Sequence, residues 1–208
     1  MKIEIWSDVV CPWCYIGKRR LERALGEFEH ADEVEIEWRS FQLNPGAPDR
    51  AVPTLEYLAR RFGPQAQAMV TRVTELARAE GLDLNYDTAL SVNTLDAHRA
   101  LHLAAGHGLA GAAEERLLHA HFTEGADLSD PDTLARLLGE VGLDPDRVRA
   151  VVTGTEYADA VRAEAEEAVA LGANGVPFFV IDRAYGIPGG QPAEVFLGAL
   201  RKAYADRD

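Results

Sequence analysis

Cys11-Pro12-Trp13-Cys14 carries the only two cysteines of the chain, three positions apart among 208 residues. The alternating segment Lys2-Ile3-Glu4-Ile5-Trp6 precedes them and reads as a strand, and Tyr15 to Phe28 follows with helical spacing. A thiol pair placed where a strand hands over to a helix is arranged for thiol–disulfide exchange. The attacking species in that chemistry is the thiolate, whereas a free cysteine is mostly protonated at neutral pH. At a helix start the first N–H groups lack intrahelical partners, and the macrodipole puts partial positive charge there. Cys11 is therefore expected to be an exposed nucleophile with a lowered pKa. Pro12 suits the first helical position, where a missing N–H costs nothing. Cys14, one turn further in, is expected to be sheltered and to act as the resolving thiol.

Three other roles compete. A bridge across so short a loop removes little entropy from the unfolded chain, which argues against a purely structural disulfide. A pair of inert core thiols would not need this position. A zinc site wants four ligands, and no other cysteine exists to complete one; no metal is expected.

The rest of the chain sets the frame. A hydrophobic fraction of 47% with 26% charged residues is that of a globular protein with ample core, and no apolar run approaches a membrane span. The net charge of −13 disfavours nucleic acid and anionic membranes as partners. Met1 leads straight into the first strand with no leader pattern, so a cytoplasmic location is expected.

Val34, Ile36 and Trp38 alternate with charged residues across Glu33 to Leu43, which predicts a half-buried strand at a sheet edge. Strand, helix and strand then form a βαβ unit with a parallel crossover. From Thr54 to about Thr155 the pattern turns helical with no clear strand, and Asp130-Pro131 and Asp144-Pro145 each read as an N-cap followed by proline. Tyr157 to Leu171 is a further helix. The continuous apolar run Val176 to Ile181 predicts a strand covered on both faces. Tyr185-Gly186-Ile187-Pro188 supplies its hairpin partner, and Pro192 to Tyr204 the last helix. The predicted class is α/β: a thioredoxin fold (βαβ … ββα, with a mixed four-stranded sheet) interrupted by a large all-helical insertion. Residues 1–50 and 156–208 form the thioredoxin-fold domain, and 51–155 the inserted helical domain.

Five segments in this order carry a resemblance: Asp8-Val-Val-Cys-Pro-Trp-Cys-Tyr-Ile-Gly17, Phe41-Gln-Leu-Asn-Pro45, Asn93-Thr-Leu-Asp-Ala-His-Arg99, Gly175-Val-Pro-Phe-Phe179 and Gly189-Gly-Gln-Pro192. Together they resemble the DsbA family, and within it the FrnE-like group. That group is related to 2-hydroxychromene-2-carboxylate isomerases and kappa-class glutathione transferases. The resemblance implies a disulfide oxidoreductase with a redox-active Cys11–Cys14 pair, tuned by Pro12 and Trp13, and no bound cofactor. It also implies a cis Val176–Pro177 bond beside the cysteines, with Val176 free to pair with an extended substrate. Protein or small-molecule thiols and disulfides would be its substrates. Glutathione is a candidate co-substrate, its carboxylate held where Gly190 and Gln191 open the last helix. Two departures stand out: there is no second cysteine pair near the C-terminus, and the hairpin turn Asp182-Arg183 lacks glycine, so a turn needing positive φ would be strained.

The alternative function is a glutathione-dependent isomerase or transferase. The related isomerases have serine at the nucleophile position, and a second thiol serves no purpose there, so Cys14 favours exchange. A non-catalytic holdase would leave the cysteine pair unexplained. His98 and His102 share a helix face, and His119 and His121 lie nearby, but their spacing matches no metal motif. Asp8 has two readings, as proton acceptor for Cys14 or as acceptor of backbone N–H groups in the turn, and the second is favoured.

Overall fold

A computed structural model describes residues 1–207. The sheet has the order β2-β1-β5-β6, built from β1 (Lys2–Ser7), β2 (Glu35–Ser40), β5 (Phe178–Ile181) and β6 (Tyr185–Pro188). β1 and β2 are parallel, in register from Lys2 against Glu35 to Ser7 against Ser40. β5 runs antiparallel to both β1 and β6. This is the mixed four-stranded sheet of a thioredoxin fold.

Alternation along β1 decides what lies on each face. Ile3 and Ile5 point to one side, where α1 (Pro12–Gly26) and α9 (Ala193–Ala205) cover them with Leu21, Phe28, Phe196 and Leu200. Trp6 points to the other, against Phe178, Val180 and Ala168 of α8 (Ala158–Ala170). Burying each such large apolar side chain contributes roughly 1.5–3 kcal/mol. β5, covered on both faces, is buried throughout, as its unbroken apolar run implies.

Between the halves lie α2 (Thr54–Phe62), α3 (Gln65–Ala79), α4 (Leu95–Gly106), α5 (Ala110–His119), α6 (Pro131–Gly139) and α7 (Pro145–Thr153). The expected caps are present: the Asp130 carboxylate accepts the Thr133 N–H at 2.8 Å and the Asp144 carboxylate the Asp146 N–H at 3.0 Å. Among the described residues no helix is long and apolar enough to cross a membrane.

Three details add to the sequence expectations. A two-stranded ladder, β3 (Val52–Pro53) with β4 (Leu90–Ser91), interrupts the helical stretch, too short to leave a periodic signal. β2 is shorter than Glu33–Leu43, and in its apolar row Ile36 is 39% exposed while Trp38, with Val34 just before the strand, packs against the core of the sheet. In its charged row Glu35 is exposed, whereas Arg39 bridges the buried Glu4 at 2.9 Å and Glu164 of α8 at 2.9 Å. The hairpin turn does take positive φ at both non-glycine residues, 46° at Asp182 and 58° at Arg183. Side chains hold it there. Asp182 Oδ1 accepts the Lys2 N–H at 2.7 Å, and the Arg183 guanidinium pairs with Glu4.

Candidate active site

Cys11 is the N-cap of α1 with extended backbone (φ −94°, ψ 112°), and Pro12 follows at the first helical position. Its carbonyl accepts the Cys14 N–H at 3.0 Å, closing the turn that sets both thiols side by side. Both cysteines are free thiols. The Cys11 thiol donates to the Val176 carbonyl at 3.5 Å, and the Val176–Pro177 bond is cis. Cys11, Cys14 and the loop before β5 therefore meet at one point, although 165 residues separate Cys11 from Val176. Pro177 is buried and its carbonyl accepts the Gly189 N–H at 2.8 Å, tying the loop into the hairpin.

One expectation needs correcting. Cys11 is 2% exposed, the same as Cys14, so it is not a surface nucleophile. It lies instead in the wall of a cavity of about 510 Å³. Val10, Leu58, Val70, Val73, Tyr86 and Phe122 make most of the apolar lining, and Trp13, Leu43, Phe62 and Met69 stand among its lining residues with 37–46% exposure. Sequence-local reasoning placed Cys11 on a helix end but not α2 and α3 over it.

The environment of Cys14 is closed. Burial pushes its thiol well above the usual range, and the neighbouring Cys11 adds to this; the Ser7 hydroxyl and the Asp8 N–H, 3.5 Å from its sulfur, oppose it. The Asp8 carboxylate does not reach the sulfur in this arrangement. Its Oδ2 accepts the Leu43 N–H at 2.6 Å, a backbone partner 35 residues away and not one in the turn as the sequence suggested, while Oδ1 faces His98 Nε2 at 3.4 Å.

The histidines scatter. His98 is buried against Asp8; burial alone would lower it, but Asp8, Glu114 and Glu164 hold it above the ordinary value. His102 stands 3.2 Å from Glu164 and His119 lies 3.1 Å from Glu124, each with its own carboxylate. His121, in the π-helical turn Ala120–Glu124 that extends α5, lines the cavity, and burial pushes it down to about 4. It is therefore neutral, with Nδ1 unpartnered.

Gly190 and Gln191 lie on another side of the α1 start and do not line the cavity. Gly190 packs so close that a Cβ there would stand 3.1 Å from the Trp13 carbonyl, and its own carbonyl accepts from Arg20 at 2.7 Å. Gln191 turns its amide back to the Pro188 carbonyl at 2.8 Å.

Ser7 and Glu114 escaped the sequence reading, and His121 entered it only as a metal candidate that was set aside. A signal existed for two of them: Glu114, Leu118 and His121 recur at helical spacing next to the inward Ala113 and Leu117, so a carboxylate and an imidazole fall on a buried stripe.

Comparison with known proteins agrees with this architecture. A crystal structure of a probable DsbA oxidoreductase from Streptomyces coelicolor superposes with a TM-score of 0.95 at 44% identity, covering 100% of this chain and 92% of that one. The cytosolic disulfide reductase DsbM from Pseudomonas aeruginosa, solved with GSH, gives a TM-score of 0.68 at 19% identity over 99% and 100% of the two chains. A 2-hydroxychromene-2-carboxylate isomerase gives 0.72 at 15% identity over 100% of both chains. At these lower identities the likeness is one of fold. The model of the DSBA-like thioredoxin domain matches residues 2–201, nearly the full length, and the chain belongs to the DsbA-like thioredoxin domain family.

Proposed function

We propose that the protein is a thiol:disulfide oxidoreductase in which Cys11 forms a mixed disulfide with substrate and Cys14 resolves it. The observation that carries this reading is the asymmetry within one helical turn. Cys11 caps the helix and borders a substrate-sized apolar cavity, whereas Cys14 is sealed behind it among hydrogen-bond donors. Attack by the Cys11 thiolate on a substrate disulfide gives Cys11–S–S–R and releases one thiol. Attack by Cys14 then gives the Cys11–Cys14 disulfide and releases R–SH. Run backwards, the same two steps reduce the protein and oxidise a dithiol.

The substrates are protein or small-molecule thiols and disulfides. An apolar side chain or small apolar body next to the sulfur would enter the cavity, and Trp13 offers an apolar landing surface at its edge. Pro12 and Trp13 tune the pair, and the backbone of Val176 beside Pro177 pairs with an extended substrate. Glutathione fits as a small co-substrate through its sulfur at Cys11. Gly190 and Gln191 would meet it only from outside the cavity, because their polar groups are already engaged. A cytoplasmic setting suits the reading.

The isomerase or transferase alternative needs one activated sulfur and no second thiol, and Cys14 counts against it. Mass analysis of Cys14→Ser after exposure to oxidised glutathione or client disulfides separates the two. The oxidoreductase accumulates reductant-sensitive adducts on Cys11, and Cys11→Ser accumulates none. Full turnover of a glutathione-dependent isomerase substrate by Cys14→Ser, with no trapped species, would overturn the proposal.

A further inference from the structure

Resolution of the mixed disulfide carries a difficulty that the geometry raises by itself. Cys14 must lose a proton before it can attack, yet it is 2% exposed, and burial disfavours its thiolate. A route for that proton has to exist inside the protein. Ile5, on the same strand, offers no such group, and the Asp8 carboxylate is occupied with Leu43 and faces His98.

The last residue of β1 supplies one. Asp8 N–H reaches Cys14 Sγ at 3.5 Å, and the hydroxyl of the preceding Ser7 adjoins the same sulfur. Ser7 Oγ donates to Glu114 Oε1 of α5 at 2.5 Å, with both residues 2% exposed. A carboxylate from the helical segment, 107 residues away in sequence, is thus hydrogen-bonded to a hydroxyl that lies beside the resolving sulfur.

We infer that Ser7 and Glu114 form the proton-accepting path for Cys14: the thiol proton passes to Ser7 Oγ as the Ser7 proton passes to Glu114. The inference rests on the oxidoreductase reading above. The step balances. As Cys14 gives up its proton, its sulfur attacks the Cys11 sulfur of Cys11–S–S–R, the Cys11–Cys14 disulfide forms, the S–S bond between Cys11 and the substrate sulfur breaks, and R–S⁻ leaves. The proton from Cys14 rests on Glu114 until solvent or the leaving thiolate takes it. The path runs in both directions: the Ser7 hydroxyl donates to Glu114 while Cys14 is a thiol, and to the sulfur once Cys14 is a thiolate.

The surroundings suit a carboxyl that exchanges a proton. Burial raises Glu114, and Asp8 adds to this, whereas the bond from Ser7 and the charges of His98 on α4 and Lys18 on α1 lower it; the balance is a carboxyl above its ordinary value. Its sequence neighbour Glu115 faces outward to Arg19 and Lys18 and takes no part. Glu114 acts through Ser7 and is a positioning and proton-holding residue; Ser7 lies beside the reacting sulfur, next to the Asp8 N–H that reaches it.

The test is a single-turnover reaction of the reduced full-length protein with one equivalent of 5,5′-dithiobis(2-nitrobenzoate), whose thiolate absorbs on release. Cys11 releases the first thiolate and Cys14 the second. Glu114→Gln and Ser7→Ala should leave the first phase unaltered and slow the second on the order of 100-fold at neutral pH, the usual scale of proton-transfer assistance. The slowed phase should recover toward alkaline pH, where hydroxide replaces the path. A second phase with wild-type rate and pH profile in both variants overturns the inference, and so does an equal slowing of both phases. Absence of any first phase in the wild-type protein would instead count against the oxidoreductase reading itself.

Discussion

His121 shows how a buried titratable side chain shapes behaviour far from its own chemistry. It is held neutral because burial lowers its folded value to about 4, against ~6.5 for an unperturbed imidazole. A depressed folded value means that the unfolded chain binds the extra proton first. The stability that neutral His121 provides is complete above ~6.5 and is lost as the pH falls toward 4, by at most about 3 kcal/mol. His98 has the opposite sign: its folded value is raised, so its contribution is present below ~6.5 and fades as the pH climbs through the higher folded value. Denaturant unfolding of His121→Leu should accordingly show a flatter stability curve between pH 6.5 and 4 than the wild type. It should be little changed at pH 7.5, since the lost Nδ1 had no partner. Parallel curves through that window would refute the assignment. At this scale the sequence was clear for Cys11 and Cys14, because a thiol pair at a strand–helix junction has few uses. Ser7 and Glu114 were not seen, because a serine and a glutamate acquire meaning only from the partner opposite them.

Helix α1 positions the thiols only if it lies close to the sheet, and Gly17 permits that approach. A Cβ at Gly17 would stand 3.1 Å from Phe179 Cζ and 3.1 Å from Pro177 Cγ. Phe179 is 1% exposed and Pro177 is a rigid ring, so neither yields easily. Alanine is the better helix former by about 1 kcal/mol, but overpacking a filled interior costs about 1–3 kcal/mol. Gly17→Ala should therefore be neutral to destabilising by about 2 kcal/mol, and it should slow disulfide exchange by pushing α1 from Pro177. Gly26→Ala at the end of the same helix meets nothing within 4 Å and should be neutral or slightly stabilising, with exchange unaltered. Melting curves and exchange rates for the pair check this, and equal behaviour of the two variants would rule out the close-packing account. The sequence placed both ends of α1 within a few residues. It did not show where Arg39 on β2 finds its carboxylates, because Glu4 and Glu164 are remote in sequence and only the folded sheet assembles them.

The whole molecule depends on how the helical segments are fastened to the sheet side, since they supply Glu114, His121 and the cavity walls. Two carboxylates do much of this fastening. Glu115 on α5 meets Arg19 at 2.9 Å and Lys18 at 2.6 Å on α1, and Tyr15 donates to it at 2.9 Å. Glu164 on α8 meets Arg39 at 2.9 Å, the Ser40 N–H at 2.7 Å and His102 at 3.2 Å. Burial alone would raise both, yet these partners hold each at about 2. A strand–helix alternation can be read from a chain, but ion pairs spanning 96 and 125 residues cannot, which is why the fold class was visible and its fastening was not. The sign of their pH effect follows from the depressed values. Their contribution is complete above the unfolded value of ~4.3 and is lost as the pH falls toward 2. The wild type should thus lose stability in two acid windows: one below ~6.5 from His121, and one below ~4.3 from this pair. Glu115→Gln with Glu164→Gln should be less stable than the wild type at pH 7. It should show a flatter decline only in the lower window, while the upper one stays as before. Trp6, whose indole donates to the Glu164 carbonyl at 2.8 Å, gives the fluorescence signal to follow it. A lower-window decline as steep in the double variant as in the wild type would show that other carboxylates, not these two, bind the helical segments to the sheet.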